Sequence, residues 1–356
     1  MIKNISVKFM MAFGLMFLAA SVFTTSSVSA APVNPAFDDD NFYNCVIDKL
    51  NDDNIDGVSD RLYTYSATDA ELLQLTSLTC SDFIKSAMGL NKIINLTSLI
   101  LTDNFENLKT IDLTNNTSLI NLDLSNNYLD NIDLTKNISL VNLSIYLGNL
   151  VTIDLTNNTA LERLNLEANL LETIDLTNNT ALTEIYLGSN SLTSIDVTKN
   201  TSLTYLSLLD NQLKSIDVTK NVALDSLRLR LNQLTTIDVT NNIALTYLSL
   251  TDNLLTHLDV TKNTQLTNLY LLNNQICTLD VTQNTLLLPE NLKWEAWTGE
   301  CYVPEVTPEA TPAVVPTAPN TAIQRFILAN PVIVAALGIT TAAAIFMVAR
   351  RQLGKK

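Results

Sequence analysis

The chain has 356 residues, of which 47% are hydrophobic, and a formal net charge of −15. A chain of this length forms one extended domain or two compact ones. Its acidity argues against nucleic acid as a partner, because phosphate binding requires faces rich in Lys and Arg.

Residues 1–30 have the organisation of a signal peptide. Lys3 and Lys8 form a positive start, an apolar run follows, and Val28-Ser29-Ala30 supplies the small residues that signal peptidase requires. We therefore predict cleavage before Ala31 and export to a compartment in which disulfides form.

Residues 31–74 are predicted to form a small helical N-terminal cap. Phe42, Cys45, Val46 and Leu50 have helical spacing. A second short helix is predicted after Thr68, because Thr68-Asp69-Ala70-Glu71 matches a capping box.

An acidic segment between these helices matches the start of an EF-hand calcium loop. Tyr63 stands where that loop requires a bidentate Glu. Two interpretations stay open, a calcium site in the cap and a plain acidic turn. The candidate ligands are Asp52, Asn54, Asp56 and Asp60.

A 21-residue repeat dominates residues 75–288. Nine aspartates from Asp112 to Asp280 recur every 21 residues, and the pattern Leu-x-x-Leu-x-Leu-x-x-Asn-x-Leu runs between them. One copy consists of Leu119, Leu122, Leu124, Asn127 and Leu129. This repeat resembles the leucine-rich repeat family, in particular the short repeats of bacterial internalin-like surface proteins and related surface antigens.

The expected fold is an α/β-type repeat solenoid with a parallel β-sheet on one face. The two leucines of Leu-x-Leu point to the same side of a strand, and stacked units bury them together. The turn asparagine is expected to be buried with its amide bonded to backbone groups, and Gly148 replaces it once. The aspartate column either holds cations or is solvated and hydrogen-bonded to nearby Thr.

Tyrosine and arginine mark one face of the predicted sheet. All three arginines of the repeats and five tyrosines fall in the solvent-facing columns that begin at Asn121, Asp123 and Ser125, whereas the lysines of the repeats do not. Tyr and Arg are enriched in interface hot spots, so we predict a face that binds a protein or a glycan. The candidate residues are Tyr146, Arg163, Tyr186, Tyr205, Leu209, Arg228, Arg230, Tyr247, Tyr270 and Leu272.

Four cysteines flank the repeats as one pair at each end. A solenoid holds its ends far apart, so we predict disulfides between Cys45 and Cys80 and between Cys277 and Cys301. Free buried thiols are the alternative.

The C-terminal segments predict a cap and a tether. Residues 289–302 form the cap, 303–330 a linker rich in Pro, Thr and Ala, 331–349 a transmembrane helix and 350–356 a basic cytoplasmic tail. In the linker, Ala318-Pro319-Asn320-Thr321-Ala322 resembles a cell-wall sorting signal, with Ala at its Leu and Gly places. The alternatives are a plain membrane anchor and transfer to the cell wall by a sortase-type transpeptidase acting at Thr321.

Catalysis is not expected. His257 is the single histidine, and the eight glycines form no cofactor loop. The predicted function is a cell-surface, adhesin-like binding protein that uses its strand face, with no cofactor beyond the calcium alternative. A structural or self-associating surface-layer protein is the second hypothesis.

Overall fold

The computed structural model describes residues 37–52, 67–81, 83–104, 108–296 and 298. The predicted signal peptide, the calcium ligands after Asp52, Trp297, Cys301, the linker with its Ala318–Ala322 motif, the 331–349 run and the basic tail lie outside these residues. Within the described ranges, no helix is long and apolar enough to cross a membrane.

Two helices precede the repeats. Helix α1 spans Asp40–Asp52 and buries Phe42, Val46 and Leu50. Helix α2 spans Asp69–Leu72 and begins with a capping box, in which the Thr68 hydroxyl accepts from the Glu71 N–H and the Glu71 carboxylate accepts from the Thr68 N–H. The described parts of the predicted cap are helical near these residues, and α1 packs against the first strand of the repeats.

Eleven parallel strands form one sheet in sequence order. They are β1 Ser77–Cys80, β2 Ser98–Leu101, β3 Asn121–Asp123, β4 Asn142–Ser144, β5 Arg163–Asn165, β6 Glu184–Tyr186, β7 Tyr205–Ser207, β8 Ser226–Arg228, β9 Tyr247–Ser249, β10 Asn268–Tyr270 and β11 Leu292–Lys293. Between β3 and β10 each residue pairs with the residue 21 places away, as Leu122 does with Leu143. The predicted repeat solenoid is thus confirmed.

The α/β-type class is wrong for the repeats. Apart from 3-10 turns at Leu90–Lys92 and Pro289–Asn291, the described residues between β1 and β11 contain no helix, so the fold is a β-solenoid. The side opposite the sheet consists of turns. The Asp-x-Thr-x-Asn segments there favour turns, because their side chains bond to nearby backbone groups in competition with a helix.

Each coil contributes a layer of aliphatic side chains to one continuous core. Val197, Leu203, Leu206, Leu208 and Leu213 of one coil are completely buried. Burying each such side chain stabilises the fold by about 1.5–3 kcal/mol, which offsets the entropy lost on ordering the coil.

Two ladders of buried asparagines connect the coils. In the first ladder, from Asn116 to Asn284, the Asn158 amide donates to the carbonyls of Leu134 and Asn137 at 3.1 and 2.9 Å. In the second, from Asn127 to Asn274, the Asn232 amide donates to Leu208 and Leu229, and its Oδ1 accepts from the Leu213 N–H. These amides satisfy backbone groups that the short strands leave unpaired.

Gly148 is the position where the second ladder is interrupted. A side chain there would collide with Oδ1 of Asn169, which accepts from the Leu150 N–H at 3.0 Å as the equivalent oxygens of later coils do from their leucines. The irregularity is local, because β4 and β5 on either side keep the 21-residue register.

The N-terminal cysteine pair is joined. Cys45 of α1 and Cys80 of β1 form a disulfide with 5.9 Å between their Cα atoms, which fastens the cap to the first coil. Cys301 lies outside the described residues, so its pairing with Cys277 stays a prediction.

Removing one rung of the second ladder should destabilise the chain. We expect Asn232→Leu to lower the free energy of unfolding by roughly 2–4 kcal/mol, because it leaves the Leu208 carbonyl and the Leu213 N–H buried and unpaired. Urea denaturation followed by circular dichroism measures the change. The exposed neighbour Gln233 is the control, and Gln233→Ala should stay within about 0.5 kcal/mol of wild type. Equal effects of the two substitutions would contradict the role of the ladder.

Candidate binding face

The first two predicted columns lie on the strands, and the third does not. Each strand from β3 to β10 has three residues, of which the middle one points into the core and the outer two lie on the opposite face of the sheet. These outer residues are at least partly exposed, except for the buried Ser207, Ser226 and Ser249. Tyr146, Leu209, Arg230 and Leu272 of the third column therefore lie in the turn after the strand rather than on the sheet. The candidate residues therefore form two adjacent surfaces, a face on the strands and, along one side of it, a row of turn residues that we call the turn edge.

Five side chains on strands β6 to β10 form one continuous stack. The rings of Tyr186 and Tyr205 stack with 4.6 Å between their centroids, and those of Tyr247 and Tyr270 contact at 5.4 Å. The Arg228 guanidinium lies between the two pairs, 5.3 Å from the Tyr205 ring and 4.7 Å from the Tyr247 ring. We call Tyr186, Tyr205, Arg228, Tyr247 and Tyr270 the tyrosine–arginine row. Its members alternate between the first and second columns.

Arg228 differs from the other two arginines of the face in its electrostatic partners. Arg163 forms a 3.1 Å ion pair with Glu184, and Arg230 forms a 3.2 Å ion pair with Asp252. Arg228 has no ion pair with any described carboxylate, and its charge is held only by the two aromatic faces. Its Nε is buried without a hydrogen-bond partner, so the donors that it keeps for a partner are those of the two terminal nitrogens.

Burial raises the pKa of two phenols of the row. Desolvation raises the pKa of Tyr186, and the adjacent Glu184 carboxylate raises it further. Desolvation also raises the pKa of Tyr205, against an opposing effect of Arg228. Tyr186 and Tyr205 therefore present protonated hydroxyls at neutral pH, beside the positive charge of Arg228.

The remaining candidate residues lie beside the row. Tyr146 and Leu272 are each 36% exposed, and Leu209 packs over Gly188. They extend the accessible surface along the turn edge, but no ring contact joins Tyr146 to the row among the described residues.

A groove beside the row was missed by sequence reasoning. It lies over strands β2 to β6, has a volume of about 390 Å³, and ends at Tyr186. Its polar lining comes mainly from Asn121, Asp123, Asn142, Ser144 and Asn165. These residues occupy the same columns as the tyrosines and arginines, and that shared position in the repeat is the sequence feature that could have indicated the groove.

The aspartate column is hydrogen-bonded within each coil. Asp154 Oδ1 accepts from the Thr156 N–H and hydroxyl, and the same two bonds recur in each of the nine coils from Asp112 to Asp280. In eight coils the hydrogen bond from the Thr hydroxyl is the main cause of the lowered Asp pKa. At Asp280 the main cause is the hydrogen bond from the Thr282 backbone N–H. This geometry favours the hydrogen-bonded interpretation over a cation column. Among the described residues, no group of His, Cys, Asp or Glu is placed to hold a metal ion.

Solved structures with the same fold include bacterial and plant proteins. The functional domain of InlJ from Listeria monocytogenes, which includes a cysteine ladder, is 35% identical, with 71% of this chain and 54% of that domain covered and a TM-score of 0.67. The internalin InlF of the same species is 23% identical over 74% of this chain and 84% of its own, with a TM-score of 0.58. This chain therefore spans about half of the InlJ domain.

A plant receptor shares the solenoid as well. The ectodomain of the Arabidopsis thaliana receptor kinase GASSHO1/SCHENGEN3, solved in complex with CASPARIAN STRIP INTEGRITY FACTOR 2, is 27% identical. The match covers 58% of this chain and 28% of that one, with a TM-score of 0.52. No protein-family model matches the chain, and no curated protein matches it.

The aspartate column should make stability depend on pH in the acid range. The folded pKa values lie below the ordinary value of 3.8. The stabilisation that the ionised aspartates contribute to the free energy of unfolding is therefore complete above that value. It is lost as the pH falls through the folded pKa. We expect the urea midpoint to be level between about pH 7 and pH 5 and to fall below about pH 4.

A triple variant tests whether the aspartate column causes the fall of the urea midpoint at acid pH. Replacing three hydroxyl donors with Val (Thr156, Thr177 and Thr198) should make the acid decline shallower, because their carboxylates keep only the backbone bond. The matched control replaces three exposed threonines that do not bond to the column (Thr159, Thr180 and Thr201). A control curve that flattens as much as the test curve would refute this explanation.

Proposed function

We propose that this leucine-rich repeat protein, which is similar to bacterial internalins, is an adhesin-like cell-surface protein that binds a partner protein through the tyrosine–arginine row. The solenoid supplies a rigid sheet, and the row supplies aromatic and guanidinium anchors. Side chains of these types provide most of the binding energy in protein interfaces.

Arg228 is the observation that carries the proposal. Its guanidinium is fixed between Tyr205 and Tyr247 and is not neutralised by a described carboxylate. Fixing the side chain before binding lowers the entropy lost on association. A carboxylate of the partner would accept from the two terminal nitrogens of Arg228 with bidentate geometry.

The sequence outside the described residues supports display at the cell surface. A signal peptide at 1–30 would export the chain, and the apolar run at 331–349 with its basic tail would hold it in the membrane with the repeats outside. Transfer to the cell wall at Thr321 is the alternative anchor. Neither arrangement changes which face of the repeats is presented.

Neutralising Arg228 should abolish most of the binding. We expect Arg228→Gln to weaken adherence roughly 30-fold, since losing a hot-spot residue costs about 2 kcal/mol or more. The assay measures adherence of cells displaying the full chain to a panel of eukaryotic cell lines and bacterial strains. Trypsin treatment of the target cells should remove the binding if the partner is a protein.

Lys220→Gln is the matched control, because it removes one positive charge from the turn side of a neighbouring coil. Its adherence should equal that of wild type. Equal losses in both variants would show a general charge effect and overturn the role of the row. Sedimentation velocity on the same variants addresses the second hypothesis, since self-association that Arg228→Gln leaves intact, without adherence to any target, would favour a surface-layer protein.

A further inference from the structure

We propose that the groove over strands β2 to β6 is a second binding site, which adjoins the tyrosine–arginine row at Tyr186 and takes a short neutral oligosaccharide. The site goes beyond the proposed function, because its polar groups lie outside the tyrosine–arginine row and Arg228 does not line it. Its volume of about 390 Å³ falls in the range of small-ligand pockets, roughly 300–1,000 Å³.

Tyr186 supplies an aromatic platform at one end of the groove. Its ring stacks on Tyr205 of the next strand, with an angle of 28° between the two planes. Because one face is covered from the β7 side, the opposite face is directed toward β5 and into the groove that Tyr186 lines. The electron-rich face of an aromatic ring is attractive to the polarised C–H groups of a sugar ring.

The platform is fixed before any ligand binds. The Tyr186 hydroxyl donates to Glu184 Oε2 at 3.2 Å, and Arg163 pairs with the other oxygen of the same carboxylate at 3.1 Å. The ring orientation is therefore set by a stacking contact on one side and a hydrogen bond at its tip. A preorganised platform loses little entropy on binding.

The floor of the groove provides alternating donors and acceptors. The Asn142 amide donates to Asn121 Oδ1 at 2.6 Å, which leaves the Asn142 carbonyl oxygen and the Asn121 amide hydrogens directed to other partners. Asp123 uses Oδ1 for the N–H and hydroxyl of Ser125, so Oδ2 remains an acceptor. A sugar hydroxyl donates once and accepts twice, and adjacent hydroxyls match such a set of carboxamide and carboxylate groups.

Charge and polarity exclude other ligand classes. The one guanidinium of the groove, that of Arg163, is already paired with Glu184, and Asp123 adds a negative charge. A phosphate, a sulfate or an acidic sugar would meet no free cation here. The apolar face of a partner helix would leave the amides of Asn121, Asn142 and Asn165 buried without partners.

Binding of defined sugars tests the site. The purified full chain is titrated with neutral di- to tetrasaccharides of hexoses and N-acetylhexosamines, and with their sialylated and sulfated counterparts. We expect the neutral set to bind and the charged set not to bind. Upfield shifts of sugar C–H proton resonances should accompany binding, since a ring face shields the protons stacked on it.

The variants separate the platform from the floor. Tyr186→Ala and Asn142→Leu should each weaken binding at least roughly tenfold, whereas Tyr186→Phe should keep the upfield shifts because the ring remains. Tyr128→Ala, which removes an exposed tyrosine from a turn, is the control and should bind as wild type. Urea midpoints measured on every variant establish that each is folded.

Several outcomes would overturn the proposal. They are the absence of binding by any neutral saccharide, binding of charged saccharides alone, and unchanged affinity in folded Tyr186→Ala. Arg228→Gln should leave saccharide affinity unchanged, and Asn142→Leu should leave cell adherence to trypsin-sensitive partners unchanged. Failure of this site is thereby distinguished from failure of the proposed function.

Discussion

Buried backbone groups at the ends of three-residue strands have to be paired, and side-chain amides of neighbouring coils pair them. The carbonyl of Leu208, for example, lies just beyond strand β7 and accepts from Asn232 of the next coil. Without these amides each turn would bury unpaired carbonyls and N–H groups, each at a cost of about 1–3 kcal/mol. The ladders therefore permit a coil of only 21 residues that needs no helix to close it.

This internal arrangement leaves the outer strand positions unconstrained by folding. Leucines occupy the inward positions and the ladders occupy the turns, so residues such as Tyr205 and Arg228 are free to serve recognition. The row and the groove share Tyr186, whose ring has one face in the stack and the other toward the polar floor. Two surfaces of different chemistry thus lie side by side on one sheet.

The solenoid could be predicted from sequence because its periodicity of 21 is the physical cause of the fold. The α/β-type class could not, since Asp-x-Thr-x-Asn can begin a helix or form a turn, and only the tight closure of the coil decides between them. Similarly, Arg230 falls in register with the strand columns, but the strand ends at Arg228 and places it in a turn.

The binding face was predictable as a set of residues but not as an arrangement. Column positions indicate that Tyr186, Tyr205 and Arg228 share a surface. Their stacking depends on side-chain rotamers, which periodicity does not determine. The groove was missed for a different reason, because Asn121, Asn142 and Asn165 look like ordinary solvated residues until their spatial arrangement is known.

The uniform register between β3 and β10 has a consequence for how such a chain can change over time. Every interface between coils uses the same pairing, so a whole 21-residue unit could be duplicated or deleted and the joint would reproduce contacts that already exist. Duplication or deletion of a unit before β6 would lengthen or shorten the groove and leave the tyrosine–arginine row whole. The same change between β6 and β10 would interrupt the row. The number of coils can therefore change on the N-terminal side of β6 without altering the tyrosine–arginine row, whereas a change between β6 and β10 alters the row as well.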